Sequence, residues 1–422
     1  MEKSGKFRLT SLERNWILYD VGNSAFVLMV ATLIPIFFNA LAAAGGLSSV
    51  EYLAYWGYAS SAVTIITAVL SPILGTVADT KGFKKPIFIL CVFVGIVGCC
   101  AMGAVSAWLP FLVIFVIAKV GFSGSLVFYD SMLSDVTTPE RMDEVSSRGY
   151  AWGYIGSCVP FVVCLGLVLG AGSIGISQMT ALNLALLLTA AWWLLTTLPL
   201  LKSYKQLYYV EVEKHAVRQS FARIGHTLRH LPEDKQVFWF LLAFFCYIDG
   251  VYTIIDMATA YGTALDLDTT GLLLALLVTQ IVAFPSALVF GRLSNKYPSA
   301  KLIPVCIAAY AGIAVFAFFL TRQWQFWVLA VIVGMFQGGV QALSRSHFAK
   351  IIPPEKSGEY FGLFDICGKG ASFLGTMIVS VGSQLTGSAN VGVGSLIVLF
   401  IVGFVLFRVS SVSYTHLRAH ET

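Results

Sequence analysis

WILYDVGNSAFVLMVATLIPIFFNAL, residues 16–41, carries one charged residue, Asp20, in a stretch of otherwise apolar, small or neutral side chains. A helix needs about 20 such residues to cross the ~30 Å hydrocarbon core of a bilayer. This stretch therefore reads as a membrane-spanning helix. Eleven more can be drawn, over 51–78, 86–106, 109–133, 147–170, 178–201, 236–265, 269–290, 302–320, 324–343, 360–384 and 391–409. Several contain Gly or Pro, which a helix bundle tolerates because neighbours re-satisfy the freed backbone groups. The bulk composition agrees. The chain is 57% apolar and 12% charged, with a mean hydropathy of +0.81, against roughly 45–50% and 25% in soluble domains. A water-exposed globule is excluded.

The net charge of +5 does not point to nucleic acid, because of where the charges fall. With the amino terminus in the cytoplasm and twelve spans alternating, 24 of the 27 Lys and Arg lie in cytoplasmic segments and only Arg322 lies opposite; Lys119 and Lys369 are inside spans. Such an asymmetry is the positive-inside rule acting over every loop, and it places both termini in the cytoplasm of a cell that carries the protein in its inner membrane. One missed span would have put the downstream basic loops on the wrong side. The first apolar run is too long for a cleavable signal peptide and contains Asp20. All eight Cys fall inside spans without a C-x-x-C pair, so they read as buried, reduced, space-filling thiols.

The longest polar stretch, 202–235, divides an amino-terminal six-helix half (1–201) from a carboxy-terminal one (236–409). Within it Val217, Phe221, Ile224, Leu228 and Leu231 recur at steps of four and three, which predicts an amphipathic helix lying at the cytoplasmic lipid surface. His226 and His230 are four apart there, but with no third ligand nearby the solvated-face reading is favoured over a metal site. The two halves show a weak internal repeat. GTVADTKGFKK (75–85) follows the second span and GRLSNKYPSAK (291–301) the eighth; YDVGNS (19–24) lies in the first span and YIDG (247–250) in the seventh. Matching polar interruptions in two halves are a mark of transporters, whose substrate site lies between the repeats near the midplane. The residues 410–422 turn abruptly polar and read as a disordered or artefactual tail.

Ionisable groups inside spans cost about 2.5–3.5 kcal/mol each near the midplane, so they face a cavity or a partner. Asp20, Lys119, Asp130, Asp249, Asp256, Asp365 and Lys369 are of this kind. Asp365 and Lys369, four apart with the acid first, can form an internal ion pair or serve substrate. Asn23 shares a helix face with Asp20, and Gln337, Gln341 and Arg345 form a polar stripe at steps of four. Arg345 and Asp256 lie near span ends, where interfacial solvation is the plainer reading. Asp20 and Asp249 each follow closely on a Tyr and adjoin a Gly, so they are expected to flank the central cavity, one from each half. The plainer alternative ties each to a neighbouring helix end.

The stretch 75–85 resembles the loop between the second and third helices of the major facilitator superfamily. That resemblance implies a cytoplasmic gate at which Gly75 allows close helix approach and Asp79 accepts hydrogen bonds from a helix amino terminus, with Gly82, Lys84 and Arg345 in the same gate. The second copy has Asn295 in place of Asp79, so that side is expected to be electrostatically weaker or absent. The runs YDVGNSAF (19–26), VSSRGYAWGYIGS (145–157), YIDGVYTI (247–254), GGVQALSRSHFAKIIP (338–353) and EYFGLFDICGKGASFLG (359–375) are similar to motifs of the autophagy-related vacuole effluxer family and its bacterial relatives. The likeness runs from about Asn15 to Val409 and departs from the usual pattern at Ile248. It implies the major facilitator fold and export of small neutral amino acids.

The chain thus reads as an all-α secondary transporter working by alternating access. Substrate-binding or coupling residues are expected among Asp20, Asn23, Lys119, Asp130, Asp249, Gln337, Gln341, Asp365 and Lys369, with Lys119 and Asp20 or Asp130 offering both charge signs to a zwitterion. The expected partners are a small solute, protons as coupling ions and the lipid bilayer; the protein is expected to act as a monomer, without cofactor, metal or nucleic acid. Another solute class (peptide, sugar, drug or lysolipid) is the alternative within transport. A non-transporting receptor on the same fold is disfavoured by short loops, and an enzyme by the lack of H-E-x-x-H, G-x-S-x-G or a His in a span core.

Overall fold

The computed structural model describes residues 7–211, 216–258, 261–262 and 265–420, with 49–50, 53, 216–222, 269–270, 273, 369–373 and 412–420 as backbone only. Its elements are helices: α1 (Ser11–Ala44, bent at Thr32), α2 (Ser49–Ala78), α3 (Lys84–Met102), α4 (Trp108–Ser131), α5 (Met142–Leu169), α6 (Gln178–Ser203), the linker helix α7 (Ala216–His230), α8 (Lys235–Asp256), α9 (Thr269–Leu293), α10 (Ser299–Phe318), α11 (Gln323–Ile351), α12 (Ser357–Thr386) and α13 (Ile397–His420). Thr10 and Ser48 open α1 and α2 with capping boxes, each closed by a Glu three residues on, the reciprocal arrangement that satisfies two orphan donors. Eleven helices among the described residues are long and apolar enough to cross a bilayer. The remaining expected span is α12, 30 residues long and carrying Glu359, Asp365 and Lys369, and it is not among the eleven.

The helix groups α1–α6 and α8–α13 share contacts that show how far the sequence repeat goes. Tyr19 of α1 donates to Ser125 of α4 at 2.6 Å, and Tyr247 of α8 meets Ser344 of α11 at 2.7 Å. Gly22 packs against Trp193 and Thr196 of α6, and Gly250 against Phe400 of α13, with no room for a Cβ in either place. Aromatic stacks fill the interior, such as Trp16 on Tyr129 and Phe244 on Phe364. The outer surface is apolar, with Val69, Phe93, Ile117, Leu195, Val305 and Val405 all more than half exposed. In water such a perimeter would aggregate; in lipid it carries no penalty. All eight Cys are free.

The polar contacts between the halves gather where α2, α5, α9 and α11 present their basic loops, here termed the basic end. Helix α7 lies there as the linker helix, with Thr227 buried, Ile224 half-buried and Leu228 exposed; Val217 and Phe221 lie outside the described side chains. The rings of His226 and His230 stack 4.0 Å apart and His230 Nδ1 lies 2.8 Å from the His226 carbonyl oxygen. The carboxy-terminal segment differs from expectation. Helix α13 continues to His420, and Ser410 donates to the Gln236 carbonyl at 3.0 Å. Its backbone is therefore helical up to that residue rather than a disordered tail; the side chains of 412–420 lie outside the described residues.

Candidate functional site

Two constellations join the halves at the basic end, and each begins with a residue type chosen for close approach or for charge. The first is built on Gly75. Helix α2 passes α12 so closely that a Cβ on Gly75 would collide with the Gly358 carbonyl oxygen, and one on Gly358 would lie 2.5 Å from the Gly75 oxygen. Four residues on, Asp79 caps α2 and accepts from the Gly358 and Glu359 N–H groups at 2.7 and 2.8 Å. These are orphan donors at the start of α12, where the helix dipole also favours an anion. Lys84, fully buried, donates to Ser357 at 2.8 Å and lies 3.8 Å from Asp79 and 3.5 Å from Asp135. Burial pushes the Asp79 carboxyl up to about 7, while Lys84 and the two N–H donors favour its charged form. Gly82 turns the loop at φ +80°, where a side chain would be strained.

The second copy of this loop is present, with its polarity reversed. Gly291 brings α9 against α5, where a Cβ would sit 2.8 Å from that of Ser147. Asn295 then donates to Glu144 at 2.8 Å. The acid that the loop lost is supplied by the first turn of α5, so of the two expectations, a weaker or an absent second contact, the absent one is corrected. Asp143 beside it binds Ser346 and Lys350 of α11, both at 2.6 Å.

The second constellation surrounds Arg345. This guanidinium is 2% exposed and comes from α11, yet its partners come from the other half: Asp130 at 2.9 Å, Asp20 at 3.9 Å, and the hydroxyl and carbonyl of Ser146 at 2.9 and 3.0 Å. Trp16 and Tyr150 lie against its faces, 4.7 and 4.3 Å from ring centre to Cζ. Arg345 is therefore not the interfacially solvated residue of the plainer expectation but a buried cross-half tie. Two carboxyl groups face one guanidinium, and one Asp20 oxygen accepts no hydrogen bond. Beside it Ser71 of α2 donates to Asp365 of α12 at 2.7 Å, and Tyr154 of α5 donates to Gln341 of α11 at 3.1 Å. Gln337 is buried, its oxygen without a hydrogen-bond partner.

Other expected site residues stand apart. Asn23 is buried and donates to the Tyr19 carbonyl of its own helix at 3.1 Å. Lys119 lies over the Phe122 ring at 4.8 Å, eleven residues before Asp130 on α4, or about 16 Å along the axis. Asp256 is exposed at the last turn of α8, and the side chain of Lys369 lies outside the described residues. Asp249 is fully buried inside the carboxy-terminal half, accepting from Gly375 N–H at 2.8 Å and Thr253 at 3.3 Å. It does not meet Asp20 across a cavity. The reason is register: Tyr19 and Tyr247 correspond, as do Gly22 and Gly250, so the counterpart of Asp20 is Ile248. Asp249 is one residue further on, about 100° around the helix, facing α12 instead. Sequence reasoning missed Asp135, Glu144, Asp143, Ser146 and Glu359. All lie at helix ends, where a charged residue looks like ordinary solvated surface until the partner half covers it.

The comparisons agree with this architecture. The family profile described as vacuole effluxer Atg22 like matches residues 11–140 and 134–419. An MFS-type transporter of Bacillus subtilis, YxiO, is 42% identical over 404 residues, covering 94% of each chain. Autophagy-related protein 22 of Saccharomyces cerevisiae is 27% identical over 283 residues, 58% of this chain and 53% of the yeast protein; the chain thus matches about half the length of this fungal relative. Among solved structures, the human organic anion transporter MFSD10 superposes with a TM-score of 0.71 at 14% identity, covering 94% of this chain and 98% of that one. FucP in its outward conformation gives 0.70 at 16% identity, covering 95% and 97%. These likenesses carry the fold alone, but the family match spans nearly the whole chain. This protein is a membrane transporter of the major facilitator superfamily and belongs to the Atg22-like vacuole effluxer family.

Proposed function

We propose that the protein exports small neutral amino acids by alternating access, with protons as the coupling ions. The observation that carries this reading is Arg345 held between Asp20 and Asp130. It brings both charge signs within 4 Å of one another at the seam of the two halves, which suits a solute whose ammonium and carboxylate are themselves adjacent. Lys119 and Asp130 are too far apart along α4 for one small amino acid to bridge. A substrate ammonium at Asp130 would compete with Arg345, and its carboxylate would engage the released guanidinium. Binding would then weaken the tie that closes the basic end, so that occupancy and opening are linked through differential affinity for the two states. Asp365, Gln337 and Gln341 complete the polar lining. The description of the matching family, vacuole effluxer Atg22 like, supports the direction. The test is exchange in vesicles reconstituted with purified protein. Neutral amino acids should move saturably and faster with a pH gradient, while deaminated and decarboxylated analogues should not compete. Transport of sugars, peptides or lysolipids with no amino-acid movement would overturn the reading.

We further propose that the basic end is cytoplasmic, with both termini on that side of the cell membrane and the protein acting as a monomer. The partition of Lys and Arg motivates the orientation. In a cysteine-free background, a cysteine at the exposed position 226 should label only after the membrane is permeabilised. Labelling from outside intact cells would invert the topology.

A further inference from the structure

We propose that Arg223, on the linker helix α7 and so part of neither half, is a gating residue that holds the basic end closed by neutralising Glu359. The inference rests on the alternating-access reading above. Glu359 sits in the first turn of α12 and is fully buried. Its backbone N–H is taken by Asp79, and neither of its own carboxylate oxygens accepts a hydrogen bond. Closure therefore confines two carboxylates, Asp79 and Glu359, at one helix end. A buried charge is tolerated only when a counter-charge accompanies it. Lys84 is committed to Asp79, Asp135 and Ser357. The cation at Glu359 is Arg223, whose Nη2 lies 3.5 Å from Oε2 and also donates to the Thr76 carbonyl of α2 at 3.2 Å. One guanidinium thus ties α2 of the first half to α12 of the second.

The linker is delivered to this place by backbone pairing with the gate loop. Val210 N–H donates to the Asp79 carbonyl at 2.7 Å and Lys81 N–H to the Val210 carbonyl at 3.4 Å. Gln206 bonds the Ala78 carbonyl at 3.1 Å and the Gly82 N–H at 3.0 Å. Asp135, at the end of the first half's fourth span, receives Tyr204 O–H at 2.6 Å and the Leu207 and Tyr208 N–H groups at 3.0 Å each. The strap is bonded to the first half, and among the described residues Arg223 carries its ion pair to the second. When the halves part, water hydrates Glu359 and the need for Arg223 lapses. The contact therefore stabilises the closed state selectively, which is what a gating residue requires.

The experiment measures the distance between spin labels at positions 83 and 355, both exposed at the basic end, in reconstituted protein. Arg223→Ala should raise the population with the long distance about tenfold or more, while Arg223→Lys stays near wild type. Glu359→Gln removes the buried charge, so the double variant R223A/E359Q should return to the closed distribution. That rescue separates neutralisation of Glu359 from simple docking of the linker, which E359Q would not restore. An unchanged distribution in R223A, or a double variant as open as R223A, would overturn the proposal. Failure of the underlying reading shows separately, as a wild-type distance that responds to neither substrate nor pH, and would remove the gating role with it.

Discussion

Arg345→Gln is expected to reduce amino-acid exchange about a hundredfold or more, since removing one member of a buried ion cluster costs about 3–5 kcal/mol. The variant leaves Asp20 and Asp130 facing one another across the α1–α4 seam, with the Ser146 carbonyl and hydroxyl also robbed of their donor. The loss has two parts. The closed state of the basic end is weakened, and the only cation within 4 Å of those carboxylates among the described residues is gone from the proposed substrate site, which needs both signs. Arg345→Lys keeps the charge but cannot present a planar fork to two acids and a backbone carbonyl together, so a loss of about tenfold is expected. A second change separates stability from transport. Asp130→Asn in the Arg345→Gln background removes one uncompensated charge and should recover thermal stability in detergent while exchange stays absent. Recovery of exchange would show that the cluster is scaffolding and that substrate binds elsewhere.

Gly75→Val should have the second largest effect, for a reason that involves no charge. In the closed arrangement the new Cβ would overlap the backbone of Gly358, and backbone cannot rotate away as a side chain can. Helices α2 and α12 must separate, and the Asp79 hydrogen bonds to the Gly358 and Glu359 N–H groups then lengthen past usefulness. The protein is expected to accumulate with its basic end open: accessible to a membrane-impermeant thiol reagent at the start of α12, stably folded, and slow in exchange by about tenfold or more, because one of its two states has become strained. Gly291→Val should behave alike but more weakly, since the Cβ there would lie 2.8 Å from the Ser147 Cβ, a milder overlap than that of a Gly75 Cβ with the Gly358 backbone. Equal transport in the wild type and Gly75→Val would mean that this closure is not part of the working cycle.

Much of this molecule was legible before any coordinates. The spans follow from the length of apolar runs, a property of bilayer thickness alone. The Gly75–Asp79 contact was readable through the resemblance of 75–85 to the loop between the second and third helices of the major facilitator superfamily. The pairing of halves at Tyr19 and Tyr247 was visible too, but it misled at Asp20 and Asp249. Both acids stand next to the repeat, yet only the Tyr and Gly positions are in register, and a one-residue offset on a helix changes which neighbour a side chain meets. Likewise Asn295 read as a missing acid, because its partner Glu144 lies 151 positions earlier in the chain.

By itself the sequence determined that this is an all-helical, multi-span membrane protein of the major facilitator type, since hydrophobic length and periodicity are local or additive properties. Only the tertiary structure decided which charges serve the seam. Arg345 meets Asp130 across 215 positions, Arg223 meets Glu359 across 136, and Ser71 meets Asp365 across 294. The worth of each pair depends on how completely the two halves exclude water around it, because a charge costs little where solvent reaches it and a great deal where it does not. That exclusion is a property of the packed interface and is written at no single position of the chain.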